Sequence, residues 1–224
     1  MFRTAGVLAV LFALASLIAG CGGAPEGSPV GAEGMVVDVP AEEAPADAAA
    51  LVLNRVPAAD TALNQAAPAA NFGLQPTMGC GRMVAGAARR ILLRFNLVAI
   101  PTSATVNNAT LRLYVSDTAG QEVDRFSVHR VTANWTEMTA TWNNMAANHS
   151  PVAVSIRTIA PSAAGTVVSW NVTGLAQNWI TTPSRNLGCL VRGTEGSQEL
   201  LLYISSRQNA VIAQRPRLIV DYTP

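Results

Sequence analysis

Residues 89–117 read RRILLRFNLVAIPTSATVNNATLRLYVSD, and apolar side chains recur at every second position near both ends of this stretch. The two alternating sets are Ile91, Leu93, Phe95 and Leu97, and then Leu111, Leu113 and Val115. The residues that alternate with them are polar apart from Leu92. They are Leu92, Arg94 and Asn96 in the first run and Arg112, Tyr114 and Ser116 in the second. A period of two is typical of a strand with one buried face. The stretch therefore predicts two half-buried antiparallel strands joined by a polar connection.

Four further runs repeat this alternation later in the chain. They are Phe126 and Val128; Val168, Trp170 and Val172; Leu200, Leu202 and Ile204; and Leu218, Val220 and Tyr222. Strands separated by clusters of Gly, Pro, Asn and Ser predict an all-β sandwich or barrel, and a jelly-roll β-sandwich is the best single choice. Because no long helix is predicted, Rossmann-type and (β/α)-barrel enzymes are excluded.

One segment departs from the strand pattern. In NVTGLAQNWI, residues 171–180, Thr173 is expected to cap a short helix. Its apolar stripe is Leu175, Ala176, Trp179 and Ile180. The sequence therefore predicts one short amphipathic helix packed on the sheet.

The N-terminus carries an export signal, because Arg3 is followed by the apolar run AGVLAVLFALASLIAG that ends at Cys21. Its last residues resemble a bacterial lipobox, which predicts a signal peptide at 1–20 and a lipidated Cys21. Simple secretion or a spanning helix are the alternatives, although the run is shorter than the ~20 residues of a comfortable span. Gly22, rather than Asp, follows the cysteine and favours the outer membrane of a Gram-negative cell.

Residues 21–50 are rich in Ala, Pro, Gly and acids, and are predicted to form a disordered tether. Residues 51–224 are long enough for one domain. Leaving out Arg3 and the six tether acids, this domain has 14 Arg and 8 Asp or Glu, a net charge of +6. This balance fits an ordinary solvated surface or an attraction for polyanions such as acidic polysaccharide. Nucleic acid is not expected as a partner, because no basic run or recognition motif accompanies the charge.

Cys80 and Cys189 are the two cysteines left when Cys21 is lipidated. In an oxidising compartment they are expected to form a disulfide, which would stabilise the fold by roughly 4–5 kcal/mol in the chain-entropy model. Two cysteines without a supporting His or Cys cluster make a poor zinc site.

Several segments, in this order and spacing, resemble the DNRLRE domain, which is closely related to carbohydrate-binding module family 96. They are AADTAL, NFG at 71–73, ARRILLRFNLVAIPTSATVNNATLRLYV, VHRVTANWTEMTATWNN, WNVTGLAQNWI, NLGCLVR, YISSRQN and PRLIVDYT. The resemblance implies a jelly-roll β-sandwich of secreted bacterial and archaeal proteins, found alone or beside polysaccharide-degrading enzymes. It also implies carbohydrate binding, with alginate as the best associated ligand.

The chain departs from this family pattern at three points. The hexapeptide that names the domain is absent, and Asn96 and Asn171 stand where relatives often have Asp. An amide offers one acceptor oxygen and no charge, so any ion pair or calcium contact made by those acids is weakened here.

The arginines at outward strand positions are candidates for ligand binding. Arg94, Arg112 and Arg130 would form a basic stripe with Tyr114 interleaved, and a guanidinium can bind a carboxylate through two hydrogen bonds. An acidic polymer such as alginate is the expected ligand of this stripe. The alternative is that these arginines only keep a sheet face soluble.

The segment TANWTEMTATWNNMA, residues 132–146, concentrates aromatic, acidic and amide side chains. It could be a sugar-binding platform or a buried corner. Because Trp135 and Trp142 are seven residues apart, they face opposite sides of one strand unless the chain turns between them. We expect a corner that closes the sandwich, with Glu137 holding the loop by hydrogen bonds, and we assign Trp170 and Trp179 to the same structural role.

Other chemistry has weaker support. Asp117, Glu122 and Asp124 crowd one turn and could hold a structural calcium, although the spacing is not that of an EF-hand and turn acids are usually solvated. A lyase would need a base such as His or Tyr beside an arginine that neutralises a uronate, and His129, Tyr114, Arg112 and Arg130 are of these types. His129, however, is expected to be an ordinary outward residue.

We therefore predict a non-catalytic surface lipoprotein that binds carbohydrate. The alternative is a structural or adhesive surface protein that contacts protein partners and no glycan.

Overall fold

The computed structural model describes residues 49–83, 86–196 and 199–224. The predicted signal peptide, the lipidation at Cys21 and nearly all of the tether lie outside these residues. The strands are β1 (Leu51–Arg55), β2 (Ala59–Asn64), β3 (Thr77–Arg82), β4 (Arg89–Arg94), β5 (Thr105–Ala119), β6 (Asp124–Val131), β7 (His149–Ile159), β8 (Thr166–Asn171), β9 (Cys189–Arg192), β10 (Leu200–Ser205) and β11 (Arg217–Thr223). The helices are α1 (Trp142–Met145) and α2 (Thr173–Thr181), with 3₁₀ turns at Pro161–Ala163, Pro183–Arg185 and Ile212–Gln214.

The strands pair in an antiparallel way into one sheet. Its order is β1-β11-β5-β10-β3-β4-β9-β6-β7, with β2 paired to β4 and β8 paired to β5. The inward side chains of β4, β5, β6, β8, β10 and β11 belong to one hydrophobic cluster, so the sheet curls around a shared core. The predicted all-β, sandwich-like fold is confirmed, and the jelly-roll order stays a prediction. Each of the six alternating runs lies at least partly in a strand, whereas β1, β2, β3, β7 and β9 are additional. Phe95 and Leu97 lie beyond the end of β4, and Val172 lies beyond the end of β8.

The long strand β5 shows how the alternating pattern builds the domain. Leu111, Leu113 and Val115 are each at most 1% exposed and face the core. Arg112 is exposed and Tyr114 is half-buried on the outer side of the strand. The inner row therefore stabilises the sandwich, and the outer row is available for other contacts.

Leu92 corrects the prediction that β4 has a polar outer face. Its side chain is fully buried in a second cluster on the outer side of the sheet, together with Leu63, Leu190 and Trp135. The segment that follows β6 folds back over this part of the sheet and covers it, so β4 is buried on both faces.

Helix α2 has the predicted buried stripe of Leu175, Ala176, Trp179 and Ile180. Thr173 is not its cap, because the N-cap residue is Val172 and the Thr173 hydroxyl accepts a hydrogen bond from the Ala109 N–H at 2.9 Å. This contact ties the start of the helix to β5. Within the described part of the chain, no helix is long and apolar enough to cross a membrane.

The disulfide predicted between Cys80 and Cys189 is wrong: both are buried free thiols. The Cys80 thiol donates to the carbonyl oxygen of Val191 at 3.4 Å. Val191 lies two residues beyond Cys189 on β9, which is about 6–7 Å along a strand. The two sulfur atoms therefore do not meet, because Cys80 packs against Val191 and not against Cys189.

Candidate functional site

The outer surface of β8, β5, β11 and β1 carries a cluster that we call the basic face. It consists of Asn54, Arg112, Tyr114, Arg215 and Arg217, which line a shallow cavity of about 210 Å³ together with Val167 and Ala213. Strand alternation explains its position, since Leu111, Leu113, Leu218 and Val220 fill the core and turn their neighbours outward. Arg215 comes from the turn just before β11.

Among the residues that the structure describes, no ion pair neutralises the guanidinium charges of the basic face. Arg112 and Arg217 are direct partners in the β5–β11 register. Arg215 Nε donates to the carbonyl oxygen of Asn209 at 2.8 Å, and Arg217 Nη2 donates to that of Ile212 at 3.5 Å. In the described ranges, the ion pairs involve other arginines, namely Arg90, Arg192 and Arg207. The carbonyl groups orient the two arginines but leave their positive charge available to an anion.

The arrangement suits a ligand that carries carboxylates and hydroxyl groups. A guanidinium binds a carboxylate through two parallel hydrogen bonds, which are stronger than hydrogen bonds between neutral groups. The half-buried Tyr114 offers a ring face and a hydroxyl, and Asn54 offers an amide. These groups are chemically matched to an acidic sugar.

The predicted stripe of Arg94, Arg112 and Arg130 is not assembled. Arg94 belongs to the covered side of β4, where its Nη1 donates to the Trp135 carbonyl at 3.1 Å and its Cζ lies 5.2 Å from the Trp135 ring centre. It lines a separate, mostly apolar cavity of about 410 Å³. Arg130 lines a third cavity beside helix α2. Only Arg112 and Tyr114 of the predicted set come together.

Trp135 lies in a buried corner. It is 5% exposed, packs in the second cluster, and donates from Nε1 to the Leu187 carbonyl at 2.8 Å. Trp142, the first residue of α1, is half-buried beneath Arg90, whose Cζ is 4.8 Å from the ring centre. Trp170, 2% exposed, donates to the Phe126 carbonyl at 3.1 Å within the main core. These rings, together with the buried Trp179, contribute to the packing of the domain.

Glu137 holds this corner to the rest of the sheet. It accepts hydrogen bonds from Arg207 at 2.6 and 2.5 Å, from the Asp60 N–H at 3.1 Å and from Gln208 at 3.0 Å. A side chain at Gly73 would collide with the Glu137 carbonyl oxygen. The matching segments AADTAL, NFG, WTE and SSRQN thus meet at one structural joint.

This joint shifts the pKa values of its acids in opposite directions. Burial raises the pKa of Asp60 to about 7, with a contribution from the nearby charge of Glu137. Burial also acts to raise the pKa of Glu137, but the hydrogen bonds from Arg207, Asp60 and Gln208 outweigh it and hold that pKa below its usual range. Glu137 is therefore the anionic partner of Arg207.

The proposed calcium ligands do not converge. Asp124 is buried and accepts hydrogen bonds from the Thr194 N–H and hydroxyl at 3.2 and 2.6 Å. Asp117 accepts from the Thr118 N–H, and Glu122 accepts from the Glu199 N–H. Across the ranges that the structure describes, no group of three or more His, Cys, Asp or Glu is placed to hold a metal ion.

His129 corrects the prediction of an outward residue. It is 6% exposed, its Nδ1 pairs with the Ser150 carbonyl at 2.8 Å, and its Nε2 pairs with the Ser127 hydroxyl at 2.8 Å. Burial lowers its pKa. Since it belongs to β6 and not to the basic face, the lyase set of His129, Tyr114, Arg112 and Arg130 is not formed.

Sequence reasoning missed Arg217 and Arg215. The alternation of Leu218, Val220 and Tyr222 was sufficient to place Arg217 outward. Its pairing with Arg112 depends on a register that joins distant strands, and Arg215 lies in a turn that no periodic pattern marks.

Comparison with known proteins identifies the family of the domain. The model of carbohydrate-binding module family 96 matches residues 52–222, which reach from β1 to β11. A search among curated proteins gave no significant match. The chain belongs to carbohydrate-binding module family 96.

Proposed function

We propose that the domain binds an acidic polysaccharide without catalysing its breakdown, and that the basic face is the binding site. The observation that carries this proposal is the Arg112–Arg217 pair, two cations held in adjacent register positions with no ion-pair partner in the described part of the chain. Like charges directly opposite on a sheet destabilise it, so a ligand that supplies carboxylates would relieve the repulsion. Uronate polymers such as alginate carry such a carboxylate on each sugar.

The family supports carbohydrate as the ligand class, since its members are non-catalytic binding modules. The net charge of +6 in residues 51–224 favours an acidic polymer over a neutral one. Hydroxyl groups of the sugar would be recognised by Asn54 and by the Tyr114 hydroxyl. We propose that this jelly-roll domain is displayed on the cell surface or outer membrane, through a lipid on Cys21 and a tether of residues 21–50.

The test uses the purified full chain and a charge-matched pair of variants. Arg112→Gln with Arg217→Gln removes two charges from the basic face and keeps much of each side-chain stem. Arg55→Gln with Arg125→Gln removes two charges that lie outside the basic face. Arg55 is the register partner of Leu218, which faces the core, so it is on the other side of the sheet from the basic face. Arg125 lies on β6. Calorimetry should show that the first pair lowers the affinity for alginate about tenfold or more. The second pair should change this affinity little.

A neutral glucan is the specificity control. Equal binding of the neutral and acidic polymers would contradict an arginine-based site. Retention on no polysaccharide at all would overturn the proposed function.

A structural or adhesive role is the second candidate, and the edge strand β7 favours it. Val152 and Ile156 on this strand are 74% and 50% exposed, and an unpaired edge can accept another strand. Sedimentation of the chain without glycan would show concentration-dependent association, and Ile156→Lys would abolish it. A monomer at all concentrations would remove self-association from consideration.

A further inference from the structure

A second positively charged cavity lies beside the N-terminal end of helix α2. This α2 cleft has a volume of about 730 Å³. Its polar lining is Arg130, Ser150, Asn171, Thr173, Asn178 and Arg185. Both arginines are exposed, and their guanidinium groups have no hydrogen bond or ion pair within the described parts of the chain. Two charged groups are thus held beside the same open cavity without internal partners.

The floor of the cleft provides apolar contact as well as charge. Val152, Val154 and Leu175 line it between the arginines and amides. Apolar patches of this size contact the C–H faces of a sugar ring, while amides and hydroxyls bind its edge. The chemistry of the cleft is therefore of the same class as that of the basic face.

Strand β8 connects the two cavities. Its first part contributes Val167 to the basic face, and its last residue, Asn171, lines the α2 cleft. Four residues of a strand span about 13 Å. Ser169 faces outward between them and is the register partner of Arg112.

Positive charge continues along this path. The exposed Arg157 on β7 reaches over β8, and its Nη1 donates to the Ser169 carbonyl at 3.3 Å. In the described residues it has no carboxylate partner. Because Ser169 is the register partner of Arg112, the Arg157 guanidinium lies across β8 at the level of Arg112 and Arg217. Positive charge thus extends over β8 at that level, and Arg130 and Arg185 lie beyond its last residue.

We infer that the α2 cleft is a second subsite for the same acidic polysaccharide, and that one chain lies along β8 from the basic face to the cleft. This inference rests on the proposed function. The polymer is recognised through internal units, with carboxylates at Arg112 and Arg217 at one end and at Arg130 and Arg185 at the other. Short uronate oligomers occupy only the basic face, whereas longer ones reach both sites.

Two consequences distinguish this track from a single site. Affinity rises with oligomer length until the ligand reaches both arginine pairs, and then levels off. The loss of affinity with added salt is steeper for long oligomers than for short ones, because more arginines are neutralised.

The experiment measures binding of the full chain to alginate oligomers of increasing length. Arg130→Gln with Arg185→Gln should keep wild-type affinity for the shortest oligomers that bind and lose about tenfold for long ones. Arg112→Gln with Arg217→Gln should weaken the binding of both. Arg55→Gln with Arg125→Gln should match the wild type at every length, and unchanged thermal melts show that all variants are folded.

The outcomes separate the two levels of the proposal. Wild-type binding of long oligomers by the Arg130 and Arg185 variant, or affinity independent of length, overturns the second subsite while the proposed function stands. Absence of uronate binding by the wild-type chain overturns both. An Arg157→Gln variant with reduced affinity for long oligomers alone supports the path along β8.

Discussion

Arg112 on β5 and Arg217 on β11 are direct register partners on the outer face of the sheet, and the described residues place no carboxylate beside them. Opposite charges at such positions would stabilise the pairing, and like charges weaken it. The fold therefore accepts an electrostatic cost at this position. That cost is the expected signature of a site prepared for an anion, because stability and binding demand different residues there.

Replacing Arg217 by Gln should stabilise the fold while it weakens polyuronate binding. Removing the like-charge contact is expected to raise the free energy of unfolding by about 0.2–1 kcal/mol at low ionic strength. The gain should shrink in high salt, where exposed charges are screened. Urea unfolding at two salt concentrations measures it, and Arg125→Gln is the control. A lower stability of Arg217→Gln at low salt would show that the guanidinium supports the sheet.

Trp135→Ala should act on stability and not on binding. The ring is buried in the second cluster with Leu92 and Leu190, so its removal is expected to cost about 3–5 kcal/mol. Trp135→Phe keeps most of the ring and leaves the Leu187 carbonyl unpaired, for a cost of about 1–3 kcal/mol. Urea unfolding measures both costs, and calorimetry should give wild-type alginate affinity for the folded Phe variant. Lost affinity with an unchanged melt would make Trp135 part of a sugar platform.

The sequence was sufficient to predict the strands whose two faces differ. In β5, β8 and β11, alternation correctly separated the core side from the outer side, because one face of each packs and the other meets solvent. Periodicity also placed the buried stripe of α2. These are local consequences of the two-residue and 3.6-residue repeats.

Long-range packing explains what the sequence could not predict. Leu92 and His129 occupy outward positions by periodicity, and both are buried because residues from the 132–150 segment cover them. The cysteine count predicts a Cys80–Cys189 pair, whereas strand register sets the Cys80 thiol against Val191. The basic face likewise needed the register of β5 with β11, and the α2 cleft needed the approach of β7 and α2.

The buried Asp60 should make stability fall as pH rises from about 4 to 7. Its pKa in the folded protein is about 7, above its usual 3.8, so the folded state holds a proton that the unfolded chain releases in this window. Asp60→Asn removes this pH-dependent contribution to the free energy of unfolding and keeps an acceptor for the Arg207 N–H. From pH 4.5 to pH 8, the free energy of unfolding of the variant should rise by on the order of 2 kcal/mol relative to that of the wild type.

Chemical unfolding of both proteins across this pH range gives the comparison. Burial also lowers the pKa of His149. The pH-dependent contributions of Glu137, His129 and His149 to the free energy of unfolding are present in both proteins, so they largely cancel in the difference. Glu137 itself acts in the opposite sense, because its lowered pKa gives stability above the usual value of 4.5 that is lost on acidification. A constant difference between variant and wild type from pH 4.5 to 8 would place the Asp60 pKa outside this window.

Cys80 and Cys189 should behave as unreactive thiols in the native protein. Burial raises the pKa of both, to about 12 for Cys189, and only the thiolate is an effective nucleophile. Iodoacetamide at pH 8 should label neither cysteine in the folded chain and both in denaturant without reductant, as measured by peptide mass mapping. The thermal melt should be the same with and without reductant, since no cross-link constrains the unfolded chain. Peptides that stay unlabelled in denaturant until reductant is added would show that the thiols are oxidised in the native protein.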